Sequence, residues 1–250
     1  MIRLPLASFL ALAALTAAAQ DTSPALRVPG GGPSFSELMA SHAGEPAPPA
    51  PLLGRILVDT YYAPSGTYKI DVPVSMQLGG AITDTESLVV FDDSYLTHLT
   101  IANFPLDATQ KWDLSISTPK EYLIGFFEKF VMRNYREAYK GVEVRVDERA
   151  RFIPSMLGGA FIGYITIPGG TYFASRIFHL APDAKPRVAK YGVLLFVHDG
   201  TIFIISMELA ERATEGSAYH LTSEQEDSTL RGRLLDIASK IQFLSKPRSP

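Results

Sequence analysis

Cysteine is absent from the 250-residue chain. That absence excludes disulfide staples, a lipid-bearing cysteine anchor, thiolate nucleophiles, iron–sulfur clusters and thiolate zinc sites, so stability must come from core burial. No Lys/Arg cluster forms a basic stripe, and the formal net charge is −3. Nucleic acid is therefore not an expected partner. There is no Gly-x-Ser-x-Gly nucleophile elbow, no His-Glu-x-x-His pair and no Walker loop. No internal repeat is visible either.

The one concentrated apolar run lies at the start. Arg3 precedes an apolar stretch from Leu4 to Leu15, and Ala17 and Ala19 supply an Ala-x-Ala cleavage signal before Gln20. The run is too short to span a bilayer and has no basic flank after it. Residues 1–19 thus read as a secretory signal peptide, which predicts an exported, periplasmic or extracellular protein with no membrane span in the mature chain. Arg3 is the only charged residue in that segment, so its removal takes −3 to −4. Residues 20–54 read as a disordered linker: Pro24, Pro29, Pro33, Pro46, Pro48, Pro49 and Pro51 recur around Gly30-Gly31-Gly32. Residues 55–245 form the predicted single domain, and 246–250 a tail. Roughly 195 residues suffice for one sizeable core.

The domain is organised around residues 188–208. Two apolar, β-branched and aromatic runs flank Asp199-Gly200, a pair suited to a two-residue type I′ turn. That turn sets His198 opposite Thr201, Val197 opposite Ile202, Phe196 opposite Phe203 and Leu195 opposite Ile204. Alternation then puts Leu194, Phe196, Phe203 and Ile205 on one face and Leu195, Val197, Ile202 and Ile204 on the other. Both faces are apolar, so these are central strands covered on both sides.

Further strands are predicted at Ile56–Tyr62, Tyr68–Val72, Leu88–Phe91, Leu96–Ala102, Val142–Ile153 and Phe161–Ile167. Residues 103–117 show no clear pattern, 171–180 suit either a strand or an ordered loop, and 211–222 read as a loop. Thr118, Pro119 and Glu121 make a capping box with proline at the first helical position. Tyr122, Leu123, Phe126, Phe127, Phe130, Val131 and Tyr135 follow at helical spacing, and Gly141 is the expected stop. A second helix is predicted to open at Ser223 with Glu226 completing its box. Glu224, Glu226 and Asp227 complement its positive end, and Leu230, Leu234, Ile237, Ala238 and Ile241 form its buried stripe. One helix on each face of the sheet gives an α+β fold: an α/β/α sandwich with a central, mostly antiparallel sheet flanked by two long helices.

This order, with Tyr68-Lys69-Ile70-Asp71-Val72-Pro73 stopping a short strand and Ile237-Ala238-Ser239-Lys240-Ile241-Gln242-Phe243 as a C-terminal tail, resembles the Mog1/PsbP-like family over about residues 55–245. The family's Gly-Trp after the proline is replaced by Val74-Ser75-Met76. The resemblance implies a noncatalytic accessory or binding protein, and it transfers no site residue.

Candidate chemistry is sparse. Asp92, Asp93 and His98 are the most metal-like group, yet Asp-Asp-Ser between strands is ordinary turn chemistry. His198 beside Asp199 could pair as acid and base, though the turn itself needs Asp199. Gly158-Gly159-Ala160-Phe161-Ile162-Gly163 lacks the middle glycine of a dinucleotide fingerprint and runs into a strand, so it reads as close-packing glycine. No catalytic residue, metal or cofactor is assigned. The expected interaction surface is residues 169–186, with Tyr172, Arg176 and His179 as binding residues between flexible or kinked ends. The alternative is that Tyr172, Phe173 and Phe178 tuck under the sheet edge as a minor core. Functionally, an exported noncatalytic binding or accessory module with an unknown protein or envelope partner is set against a small periplasmic hydrolase with an unrecognised site and a self-associating envelope component.

Overall fold

A computed structural model of the chain describes residues 51–244 apart from Ser94, Glu148 and 177–185. The predicted signal peptide, nearly all of the expected linker, His179 and the tail lie outside the described residues.

The central hairpin has the predicted register. β10 (Val188–His198) and β11 (Thr201–Glu208) pair antiparallel with His198↔Thr201, Phe196↔Phe203 and Leu195↔Ile204 in step. Asp199 and Gly200 both take positive φ, 46° and 68°, as a type I′ turn requires. The faces also divide as alternation demands. Leu194, Phe196, Phe203 and Ile205 enter one core cluster, while Leu195, Ile202 and Ile204 enter the other with Val197 packed against it.

Around the hairpin runs an eight-stranded sheet. β4 (Ala81–Asp84), β5 (Leu88–Asp92) and β6 (His98–Pro105) lie beside β11; β9 (Ala160–Pro168) and β7 (Arg145–Val146) lie beside β10, and β8 (Arg151–Ile153) also pairs with β9. A separate four-stranded sheet joins β1 (Arg55–Leu57), β2 (Thr60–Tyr62), β3 (Tyr68–Asp71) and β12 (Gln242–Phe243). All strand pairings among the described residues are antiparallel. The fold is thus α+β, as expected, but one face of the large sheet is covered by the small sheet together with a helix.

The predicted helices differ in kind. The C-terminal helix, Ser223–Lys240, is 18 residues long and buries Leu230, Leu234, Ile237 and Ala238. The other is a composite of Pro119–Phe126, a π turn over Phe127–Val131, and Met132–Ala138. Its aromatic stripe is core: Tyr122, Leu123, Phe126, Phe127, Val131 and Tyr135 are all buried. Thr118 and Glu121 form the reciprocal capping box, with Thr118 N–H donating to the Glu121 carboxylate at 3.0 Å and Glu121 N–H to Thr118 Oγ1 at 3.2 Å. Of the two long helices expected to flank the sheet, one is thus continuous and the other is a composite interrupted by a π turn.

Several expected boundaries move for local reasons. Ile56–Tyr62 is two strands, not one, turned at Val58 and Asp59 with φ of 46° and 61°. Val142–Ile153 splits into β7 and β8. Residues 103–117 contain a helix, Ala108–Ile116, boxed by Asp107 and Gln110. The segment after Gly170 is neither strand nor extended loop but a 3-10 turn, Tyr172–Arg176. Within 211–222 lie a short helix, Ala210–Thr214, and a 3-10 turn, Gly216–Ala218. The last helix is capped by Thr222 with Gln225, one residue before the predicted Ser223 and Glu226. Gly159 and Gly163 are close-packing glycines: a Cβ would sit 2.8 Å from the Phe152 ring at the first and 2.6 Å from the Phe127 ring at the second.

Candidate functional site

Two clusters of ionisable groups flank β10 on opposite faces. On the helix 119–138 side, the alternation Ile202, Ile204, Ser206, Glu208 carries one strand face from apolar to acidic toward one end of the sheet. Glu208 stands opposite Tyr191 on β10. Across β6 the ladder ends at Leu99↔Met207, so the next step sets His98 beside Glu208, and His98 in turn pairs with Asp92. A row Asp92, His98, Glu208, Tyr191 results.

Glu208 is fully buried. Thr171 Oγ1 donates to its Oε1 at 2.5 Å, the Tyr172 backbone N–H to its Oε2 at 2.8 Å, and the Tyr191 hydroxyl lies 3.0 Å from Oε2. The Tyr191 hydroxyl is also 2.8 Å from the Gly170 carbonyl, to which Tyr139 donates at 3.3 Å. Burial pushes the Glu208 carboxyl up to about 7 against the pull of those three donors. Burial likewise raises Tyr191, Tyr135 and Tyr139. Tyr135 meets Ser206 Oγ at 2.6 Å. The carboxylate is thus the anchor of Thr171 and Tyr172, and the Tyr172 ring stacks on buried His98 with centroids 4.0 Å apart.

On the other face, Lys190 is 1% exposed. Its Nζ lies 2.5 Å from Asp227 Oδ1, 3.1 Å from Glu226 Oε2 and 3.6 Å from Asp147 Oδ2. Arg149 bridges Asp147 and Asp227, Arg212 pairs with Glu226, and the Tyr219 hydroxyl donates to Glu226 at 2.7 Å. Arg149's hydrogen bonds hold Asp147 down at about 2. For Glu226 burial acts upward, but Tyr219, Lys190 and Arg212 outweigh it and lower the carboxyl. Glu226 and Asp227, read from sequence as complements to the positive helix end, are also buried clamps between that helix and β10. Three acids face three cations, so the cluster is balanced in charge, although both Asp227 carboxylate oxygens are held by ion pairs without a well-directed hydrogen bond.

The sequence-predicted site residues distribute as follows. Tyr172 is partly buried over His98; the backbone of Arg176 closes the 3-10 turn; His179 lies outside the described residues. Phe173 is 1% exposed and packs with Ala210 and Ala213 as a minor core. In the metal-like group, Asp93 Oδ1 accepts the backbone N–H groups of Tyr95, Leu96 and Thr97 at 2.7, 2.8 and 2.9 Å. Asp92 and His98 sit in the ladder. Among the described residues no three His, Cys, Asp or Glu are placed to hold a metal. His198, 3.6 Å from Asp199, stacks on Phe243 of β12. Sequence reasoning missed Glu208, Lys190 and Asp147. The available signals were a lone carboxylate ending an apolar strand and a lone lysine inside one.

Among the described residues no helix is long and apolar enough to cross a membrane. No protein-family model matches the chain, and no curated protein does. In structure it is similar to cyanobacterial PsbP (CyanoP) from Synechocystis, at 14% identity and a TM-score of 0.42, over 74% of this chain and 91% of that one. It is also similar to the Saccharomyces cerevisiae Ran-binding protein Mog1p, at 14% identity and a TM-score of 0.42, over 77% of this chain and 96% of that one. A Bacteroides thetaiotaomicron protein follows at 8% identity and 0.39, over 77% of this chain but 51% of its own. The Mog1/PsbP-like resemblance is therefore present as a weak likeness in fold, which does not bear on activity or partners.

Proposed function

We propose that this chain is an exported, noncatalytic binding or accessory domain whose interaction surface is residues 169–186, with Tyr172, Arg176 and His179 as its contacts to a protein or envelope partner. The observation that supports it best is the grip of fully buried Glu208 on Thr171 and Tyr172. A recognition loop needs a rigid base, and this carboxylate supplies one at the segment's start. The same burial speaks against chemistry: Glu208 and Lys190 are committed to internal partners, with no solvent-facing oxygen or amine to meet a substrate.

The test is capture from the native envelope. Arg176→Ala with His179→Ala should lose the partners retained by the wild type while melting unchanged; full retention of partners would place the surface elsewhere. Tyr172 is kept in this variant because its ring covers His98. A hydrolase is the second reading, favoured by the raised Glu208 carboxyl beside His98 and Tyr191. It requires turnover of an ester or phosphoester that Glu208→Gln abolishes. Export is checked by N-terminal sequencing of the exported protein, which should begin at Gln20.

A further inference from the structure

A second surface lies where helix 119–138 meets β7 and β9, and none of its lining residues belongs to the reading above. A groove of about 510 Å³ is lined by Ile124, Phe127, Met132, Val146, Ala150 and Phe161, with Glu128 and Arg136 beside them. That volume is in the range of small-ligand sites. The π turn is what builds it. In an unbroken α-helix the twelve residues from 124 to 136 would advance roughly 1,200°, leaving Ile124 and Arg136 about 120° apart around the axis. The π turn at Phe127–Val131 absorbs about one residue, roughly 100°, so Ile124, Glu128, Met132 and Arg136 fall nearly on one line. Gly163 completes the floor by letting the Phe127 ring lie directly on β9.

Three features select the occupant. The floor is apolar. Val146 brings β7 to the wall, and β7 ends the large sheet, so its outer edge is open to strand addition among the described strands. Opposite charges stand at two places along the line: Glu128 and Arg136 are exposed, join no ion pair among the described residues, and are separated by roughly 12 Å of helix. A lone acyl chain would match Arg136 and leave Glu128 opposed to nothing. An extended chain advances roughly 3.3–3.6 Å per residue, so three to four residues span the two charges. We infer that this groove binds a short, extended, apolar peptide with free ends, its amino terminus toward Glu128, its carboxylate toward Arg136 and its backbone along β7.

The experiment uses the exported protein and an equimolar pool of free-ended tetrapeptides built from Ala, Val, Leu and Phe. Saturation-transfer NMR detects binding, and calorimetry on the strongest binder gives its affinity. Arg136→Ala should weaken that peptide about tenfold, and amidating its carboxylate should do the same. The amidated peptide should then be indifferent to Arg136→Ala, the signature of one shared contact. Glu128→Ala and N-acetylation should behave as the corresponding pair. Both side chains are exposed, so the variants should melt with the wild type and report binding alone. Absence of saturable binding by the folded protein, unchanged affinity in Arg136→Ala, or tighter binding of dodecanoate than of any peptide would overturn the inference.

Discussion

Glu208 makes the stability of this domain depend on pH in a direction opposite to that of most carboxylates. Its carboxyl titrates at about 7 when folded, against an ordinary glutamate value of 4.5. Between those two values the folded chain holds a proton that the unfolded chain has released, so stability falls as pH rises through this window. The difference of 7 − 4.5 is about 2.5 units, and at about 1.36 kcal/mol per unit the loss is about 3 kcal/mol, complete somewhat above pH 7. Groups with lowered carboxyls, Asp147, Asp93, Glu211 and Glu226, lose their contribution only as pH falls through their own folded values, below about 4.5. The window from pH 5 to 7.5 therefore isolates Glu208 from them. The remaining titratable groups around it are His98, Asp92 and the tyrosines 135, 139 and 191. Glu208→Gln keeps the shape but not the charge, and its amide, like the protonated carboxyl, offers one accepting oxygen where the carboxylate offers two. Urea unfolding at pH 5 should find the variant and the wild type nearly equal, and at pH 7.5 the variant more stable by about 2–3 kcal/mol. A wild-type stability that is flat or rising over this range, or a variant with the same slope as the wild type, would refute the reasoning.

Other perturbations follow from the same geometry. Lys190→Met removes the cation that sits between Asp227 and Glu226 and should cost about 3 kcal/mol in urea unfolding, because two buried carboxylates each lose the buried one of their two counter-charges, keeping only Arg149 and Arg212. Thr118→Ala should cost about 1 kcal/mol, read as a lower urea midpoint at unchanged slope. A Cβ at Gly200 meets no atom within 4 Å, so the cost of Gly200→Val is set by the backbone: about 1–2 kcal/mol for a β-branched residue at φ 68°, seen as a lower melting temperature.

What could be read from the sequence was whatever short-range chemistry specifies. Asp199-Gly200 announces its turn, and with it the register and the faces of two central strands. The Thr118 box and the stripe behind it are equally local. The β1–β2 turn was hidden because Val58 and Asp59 adopt positive φ without a glycine to mark it. The π turn was hidden because the stripe Tyr122 to Tyr135 is broad enough to read as one apolar face despite the roughly 100° by which one absorbed residue shifts it. The last cap slipped by one because Thr222-x-x-Gln225 and Ser223-x-x-Glu226 satisfy the same pattern. The ionic clusters were beyond reach for another reason. Lys190 meets Glu226 across 36 residues, and Thr171 meets Glu208 across 37, so only the tertiary fold brings them together.

The central claim is that residues 169–186 recognise a partner from an anchored base. Hydrogen–deuterium exchange on the domain, with and without the partner captured from its native envelope, tests this directly. The account predicts slowed exchange in peptides covering 169–186, with the ladder of β10 and β11 unchanged. Protection confined to other surfaces, with 169–186 exchanging at the same rate in both states, would contradict it.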